Sequence, residues 1–335
     1  MTQYLVFLLA LASTVFAQGG SAPLRIYFID VEGGQATLLL APGGGTLLID
    51  AGWEEERDAR RIEKVAKAAG VTSIDALIVS HYHRDHAGGV AGLAGRLRIA
   101  NVYDHGEITE NYKGSAEILA ANRMALAGTR RHVVKPGDKV PVRGLEVSVI
   151  TSAGKRIDAP LKGAGARNPA CGSESPQKEE HSENAASIGL MVQFGKFKML
   201  DLTDVLFNQE LDLVCPMNRV GTAGLMVVSH HGKDTSNSAT LVRAVHPLAA
   251  VMNNSETKGG SPAVFDILRG SPGFQDLWQL HYSRAAEQRN TADALIANPR
   301  GTCEGFGLEA TAEKNGAFRI RNSRNGNEKL YPASN

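Results

Sequence analysis

The sequence predicts an α/β fold built in layers, and three features carry that expectation. Short apolar runs bounded by turn residues recur, as in Ala36–Leu40, Thr46–Ile49 and Ala76–Val79, with the length and flanks of buried strands. Between the last two, Arg57–Ala69 places apolar residues at Ala59, Ile62, Val65, Ala66 and Ala69, which is helical spacing. Beyond this alternation the chain returns mainly to strand signals, and that order fits a layered sandwich.

Taken in order, Leu24–Ile29 alternates and meets Asp30, so it reads as a strand. Ala36–Leu40, the tight turn Pro42-Gly43-Gly44-Gly45 and Thr46–Ile49 follow as two more strands and their connection. Gly33-Gly34 lacks the lysine and the following helix that a phosphate loop needs. Gly70 ends the Arg57–Ala69 helix, and Val71–Ser73 leads into the next strand. Gly106 to Pro136 is alanine-rich and helical in pattern, with a helix expected over Gly114–Ala127. Pro136-Gly137-Asp138 turns the chain into a strand at Leu145–Thr151. Ser152 to Asn184 is rich in Gly, Ala, Pro, Ser and Lys, and a loop that long in a compact domain is usually functional or disordered. Ser187–Phe194 and Phe197–Leu202 form a hairpin about Gly195-Lys196. Leu225–Ser229 and Ala249–Met252 are strands, with Leu241–Val245 helical between them. Leu308–Glu313 and Ala317–Arg321 flank Asn315-Gly316, a strong hairpin signal. No internal repeat and no clear domain boundary is evident.

The chemistry concentrates after the strand Ala76–Val79, in Ser80-His81-Tyr82-His83-Arg84-Asp85-His86-Ala87-Gly88-Gly89. Residues two apart on extended chain face the same way, so His81 and His83 can converge on one point. Asp85 and His86 come after the chain bends and can aim at a second point nearby. Imidazoles and a carboxylate are ligands that zinc and related divalent ions prefer, and this stretch holds three of the chain's ten histidines.

The stretch resembles the HxHxDH signature of the metallo-β-lactamase superfamily. Phe28–Ala36 and Leu47–Gly52 are similar to the opening strands of that fold, and Asp201-Leu202-Thr203-Asp204 and Val228-Ser229-His230-His231-Gly232 to its downstream metal motifs. The similarity extends from about Leu24 to about Pro262 and is nearest to the branch of DNA-uptake competence proteins and phosphorylcholine esterases. It implies a four-layer αββα sandwich over residues 22–335, a single domain with a loop insertion at about 152–184 where substrate-covering insertions occur. It also implies two divalent ions, zinc in the first place with manganese or iron as alternatives. The expected ligands are His81, His83, Asp85, His86, His181, Asp204, His230 and His231. Asp204 would bridge the ions, with Thr203 in place of the usual preceding glycine and Asp201 as the rival bridge. One histidine of the His230-His231 pair would bind metal and the other face the substrate, and the sequence does not decide which. His181 stands where most members place a third histidine, though the nearest branch often has another polar residue there. Asp50 would support the metal loop from behind. His105, His132, His246 and His281 are single and read as surface or satisfied core residues.

Two ions about 3.5–4 Å apart would turn a bridging water into hydroxide near neutral pH and polarise the bond to be broken. The expectation is therefore a hydrolase without a protein nucleophile, and no G-x-S-x-G elbow is present. The resemblance favours a phosphodiester, with Asp85 orienting the hydroxide, His231 counted among the catalytic residues, and Lys258, in the polar loop Asn253–Pro262, receiving a phosphate. Opening of a lactone or β-lactam by the same centre is the alternative, and a non-catalytic metal- or ligand-binding domain is a third.

With 335 residues, 43% hydrophobic, 21% charged and a net charge of +1, the composition is ordinary for a globular chain. Near-zero charge argues against a stable nucleic-acid complex held by bulk electrostatics and leaves a small molecule or a phosphodiester as the expected partner. Met1–Ala17, with its apolar Tyr4–Ala12 run and Val15-Phe16-Ala17 ahead of Gln18, reads as a secretory signal peptide. Export to the periplasm or outside is expected, with no membrane span after its removal. Three cysteines, Cys171, Cys215 and Cys303, are an odd number, so at least one is unpaired. Cys171 has two candidate partners.

Overall fold

The computed structural model describes residues 22–333 apart from 55, 113 and 302, so the expected signal peptide lies outside the described residues. Two large sheets face each other. The first runs Glu328–Tyr331, Phe318–Asn322, Leu308–Ala312, Leu24–Phe28, Thr37–Leu40, Thr46–Ile49, Ala76–Ile78, Asn101–Asp104, Arg130–Val133. The second runs Lys155–Arg156, Leu145–Ser152, Gly189–Phe194, Phe197–Asp201, Leu225–Val227, Ala249–Met252, Asp276–His281, Ile296–Asn298, with Lys139–Val142 paired on Leu145–Ser152.

The layers follow from the two-residue period of the strands. Leu47 and Ile49 point between the sheets, where they meet Val149, Leu190, Met199 and Trp278, while Leu48 points outward. There it packs with Leu38 and Leu77 against Ala59, Ile62 and Ala66 of the helix Glu56–Ala68 and against the helices Val90–Ala94 and Ser115–Ala125. On the far side, Leu200, Met226 and Ala250 pack against the helices Phe207–Val214, Ala239–Val245 and Pro262–Arg269. Three buried clusters between four layers make the αββα sandwich.

Sheet direction positions the cleft. Thr46–Ile49, Ala76–Ile78 and Asn101–Asp104 are mutually parallel, and so are Phe197–Asp201, Leu225–Val227, Ala249–Met252 and Asp276–His281. Parallel neighbours end on the same edge, where open α/β sheets place their functional loops. Asp50, Ser80–His86, Asp204, His230-His231 and Asn253 each follow directly on one of these strand ends.

Most expected elements are present to within a residue or two. One is corrected: Arg130–Val133, inside the stretch read as helical, is an edge strand pairing with Asn101–Asp104. All four of its residues are exposed, so no apolar period betrays it. The helices Phe207–Val214 and Pro262–Arg269 also carry little sequence signal, being eight residues each. The stretch 152–184 is not loose. Cys171 is bonded to Cys215, with Cα atoms 5.8 Å apart, and Cys303 is free. Farther on, the Glu174 carboxylate accepts from the amides of Ala239 and Thr240 (3.0 and 2.7 Å), and Gln177 exchanges bonds with Asn208 (2.8 and 2.9 Å).

The disulfide closes a loop of 44 residues in sequence. Cys171→Ser, or reduction, is expected to destabilise the fold by about 2–4 kcal/mol. Urea midpoints with and without a reductant measure this.

Candidate metal centre

Asp50 ends its strand in a left-handed conformation (φ 59°) that turns its carboxylate under the next loop. There it accepts from the Ser80 amide (2.8 Å), from Ser80 Oγ (2.7 Å) and from His86 Nδ1 (2.7 Å). These bonds fix two tautomers. His86 carries its proton on Nδ1. Ser80 Oγ spends its hydrogen on Asp50, so it accepts from His81 Nδ1 at 3.0 Å. His231 Nδ1 donates likewise to the carbonyl of Asn253 at 3.1 Å. In its neutral form each of the three imidazoles is therefore left with a bare Nε2, the lone pair that binds metal.

Those lone pairs converge. His86 Nε2 and His231 Nε2 lie 3.2 Å apart, with Asp85 Oδ2 at 3.2 and 3.0 Å from them. Asp204 stands at the centre, with Oδ1 3.3 Å from His86 Nε2 and Oδ2 3.4, 3.6 and 4.0 Å from Nε2 of His231, His230 and His81. The ligand atoms of Asp85, His86, Asp204 and His231 all fall within 4.8 Å of one another. His81 Nε2, His83 Nε2 and Asp204 Oδ1 are buried without a hydrogen-bond partner. Facing lone pairs repel, and buried unpaired acceptors are costly; a cation relieves both. Burial works against charge on His86, yet Asp204, Asp85 and Asp50 together push its pKa well above the ordinary value, as expected where the surroundings call for positive charge. Burial would raise Asp85 and Asp204, but the neighbouring histidines, joined by Lys258 at Asp85, hold both well below the usual carboxylate range. The donor set fits two divalent ions, one beside Asp85, His86 and His231, the other beside His81 and His83, with Asp204 between.

The two aspartates that compete in sequence are separated by geometry. Asp201 lies behind the cluster, accepting from Gln35 Nε2 (2.8 Å) and the Thr203 amide (3.0 Å), and burial pushes its carboxyl up to about 7. Thr203 has φ 51°, so the glycine-like conformation persists at this position without the glycine. His230 and His231 are also left-handed (φ 50° and 57°), at about 1–3 kcal/mol of strain each. His230 faces the cleft. Its Nε2 receives Lys233 Nζ at 3.0 Å and Asn184 Nδ2 at 3.3 Å, and its Nδ1 lies 3.1 Å from Thr235 Oγ1. Burial, with help from Lys233 and against Asp204, holds it near 3, so it is neutral.

His181 is brought to the mouth of the cleft and not into the cluster: its side chain is 84% exposed and lies 3.6 Å from Glu179. The cleft has a volume of about 620 Å³ and is lined by Trp53, Tyr112, Glu180 and Lys233 as well as by His83, Asp85, Asp204 and His230. Lys258 reaches it over the Trp53 ring (4.9 Å), donating to the Gly33 carbonyl (2.6 Å) and contacting Asp85 Oδ2. Gly34 is needed where the chains cross, since a Cβ there would stand 2.2 Å from the Asp85 carbonyl.

Two features were missed in sequence. Lys233 directly follows His230-His231-Gly232 and gave a positional signal. Glu183 gave none. Buried in the long loop, it accepts from the Tyr82 amide between the two metal-facing histidines (2.8 Å), from Thr109 N (2.6 Å) and from His105 Nε2 (3.1 Å). A second cluster, Asp30, His281 and Cys303, also brings ligand atoms together. There Arg61 already supplies the positive charge, 3.0 Å from Asp30 and 3.4 Å from Cys303 Sγ.

Residues 30–158 match the family model of the metallo-beta-lactamase superfamily. No curated protein matches. Similar solved structures include a metallo-beta-lactamase HARLDQ-motif mutant from Cronobacter sakazakii, 20% identical over 52% of this chain and 60% of that one, with a TM-score of 0.33. CmlA, a diiron beta-hydroxylase from Streptomyces venezuelae, is 13% identical over 75% and 52% (TM-score 0.42). A diphosphatase from the PhnP family is 12% identical over 87% and 98% (TM-score 0.40). The chain spans 55–61% of the length of the first metallo-beta-lactamases matched.

Burial raises the Glu183 carboxyl, but His105 and the amides of Thr109 and Tyr82 outweigh it and hold it at about 2. A pKa depressed in the folded state stabilises above the unfolded value and is lost as pH falls through the folded one. Stability should therefore drop between about pH 4.5 and pH 2, by on the order of 3 kcal/mol from this group. Glu183→Gln should flatten that part of the acid-unfolding curve, measured by circular dichroism.

Proposed function

We propose, from the premise that residues 30–158 are a metallo-beta-lactamase superfamily domain, that this metal-dependent hydrolase holds two zinc ions and cleaves a phosphodiester. The observation that carries the reading is the pairing of the carboxylate–imidazole cluster with two lysines, Lys233 and Lys258, in the same cleft. Bound there, two divalent ions supply an activated water and a sink for charge on the phosphoryl oxygens. His81 and His83 would hold one ion, Asp85, His86 and His231 the other, and Asp204 both.

The remaining chemistry belongs to the chain's own side chains. A phosphodiester brings a negative charge that Lys258 and Lys233 meet as point charges. That charge grows toward the transition state, so fixed cations favour it over the ground state. His230, neutral with Nε2 as an acceptor beside Lys233, is placed to keep that lysine extended into the cleft. Trp53 and Tyr112 supply apolar wall for the organic part of the ester. Asp85 and His231 would act as ligands and hold the second ion in place. The disulfide Cys171–Cys215 supports export, since such bonds persist in oxidising compartments.

Three measurements test this. Asp204→Ala should lose both ions by elemental analysis, whereas loss of one would point to a different bridge. Against bis-p-nitrophenyl phosphate, Lys258→Ala should lower kcat/KM about tenfold or more, roughly 1.4 kcal/mol, with little effect on a neutral lactone. A zinc-loaded protein that opens lactones or a chromogenic cephalosporin and leaves every phosphodiester intact would overturn the substrate assignment. For export, mass spectrometry of protein made in a Gram-negative host should give a mature chain starting near Gln18, and retention of Met1 would sink it.

A further inference from the structure

His230, His231 and Gly232 form three consecutive left-handed residues (φ 50°, 57° and 82°). Only glycine adopts this backbone without strain, so the turn persists only where its surroundings over-determine it. Four main-chain bonds help: His230 N to Thr203 O (2.7 Å), Lys233 N to His230 O (2.9 Å), Gly260 N to His231 O (2.9 Å) and Ser261 N to Gly232 O (2.8 Å). Further restraint, on the flanks of the turn, comes from behind. The Asn237 side chain grips both backbone groups of Ser229: its Oδ1 accepts the Ser229 amide (2.9 Å) and its Nδ2 donates to the Ser229 carbonyl (2.8 Å). The same Nδ2 donates to the Lys233 carbonyl (3.0 Å), so one amide clamps the turn on both flanks. Asn237 is itself left-handed (φ 66°) and fully buried.

What fixes Asn237 is a carboxylate with no role in the cleft. Glu210 rises from the helix Phe207–Val214, fully buried, and its two oxygens accept the amides of Asn237 (2.8 Å) and Ser238 (2.7 Å). No salt bridge to Glu210 is present among the described residues. Burial pushes its carboxyl up to about 7 against the pull of those amides and, more weakly, of the Ser238 and Ser229 side chains, so its backbone bonds are its main compensation. A chain of contacts thus runs from a core helix through Glu210 and Asn237 to both ends of the histidine turn.

We infer that Glu210, acting through Asn237, is a positioning residue for the metal centre: it sets the turn that aims His231 Nε2 at Asp85 and Asp204 and turns His230 into the cleft. This rests on the two-ion reading of the cluster. Partners that orient ligands typically matter ten- to a hundredfold in metal affinity. Glu210 and Asn237 touch no candidate ligand side chain, so a loss on their removal can only be transmitted through the backbone of the turn.

The experiment is a competitive zinc titration of the chelator-stripped full-length protein, followed also by visible absorption of its cobalt-loaded form. Glu210→Gln and Asn237→Gly are the test variants; glycine keeps the backbone angle at 237 and removes only the clamp. Glu174→Gln is the control, because that carboxylate holds the amides of Ala239 and Thr240 on the adjoining helix and has no bond to Ser229. The expected result is one binding step weakened ten- to a hundredfold, with an altered cobalt spectrum, in both test variants, and wild-type binding in Glu174→Gln despite a comparable loss of Tm. If Glu210→Gln fails to fold, Asn237→Gly carries the decision alone. Wild-type affinities in the folded test variants would overturn the inference, as would an equal loss in Glu174→Gln, and either leaves the two-ion centre standing. A wild-type protein that takes up no zinc or cobalt would overturn the centre itself, and the positioning role with it.

Discussion

The cleft depends first on a single buried carboxylate that is placed to orient ligands and not to bind metal. Asp50 accepts from the Ser80 amide, Ser80 Oγ and His86 Nδ1, and through Ser80 it also settles the proton of His81. Without it, two imidazoles lose the tautomer that leaves Nε2 bare, and the start of the ligand loop loses its attachment to the strand before it. The same solution recurs around the cluster. Glu183 holds the Tyr82 amide between His81 and His83, and Asp201 holds the Thr203 amide ahead of Asp204. Each of these acids holds at least one backbone amide, and its other partners are hydroxyls, a side-chain amide or imidazoles and not lysines or arginines, so the framework brings in fixed direction without a competing lysine or arginine.

That arrangement explains the division of labour in the histidine pair. Neighbouring residues of the same type, both left-handed, end in opposite roles because of what their Nδ1 atoms find. His231 Nδ1 meets a carbonyl, which can only accept, so its Nε2 must be the lone pair. His230 Nδ1 meets the hydroxyl of Thr235, while its Nε2 is approached by two donors, Lys233 and Asn184. The ordinary chemistry of carbonyls and hydroxyls therefore assigns two identical side chains to different tasks.

Much of this was legible in sequence wherever the signal is local. The apolar period gave Glu56–Ala68 to within a residue, Asn315-Gly316 gave the last hairpin, and the spacing of His81, His83, Asp85 and His86 gave half of the cluster. The order of motifs gave Asp204 and the histidine pair. What stayed hidden depends on contacts between distant segments. Arg130–Val133 is a strand only because Asn101–Asp104 lies beside it, and its exposed side chains carry no period. Glu183 and Glu210 look like any surface glutamate until the fold buries them. His181 sits in the right interval of the chain, but its side chain is exposed, and the residue by which this loop holds the ligand segment is Glu183, two positions later.

The first sheet brings the two ends of the described chain together: Leu24–Phe28 lies between Thr37–Leu40 and Leu308–Ala312, and the last two strands continue outward from there. On a ribosome this gives the fold a fixed timetable. Both histidine motifs emerge long before the strand that covers the open side of Leu24–Phe28, so until then the nascent chain carries an unpaired edge. Pairing across such a sequence separation is slow, and incomplete intermediates of this kind are prone to aggregate. A terminal truncation that spares every residue of the cleft, ending before Leu308, would still strand the sheet at its most vulnerable stage.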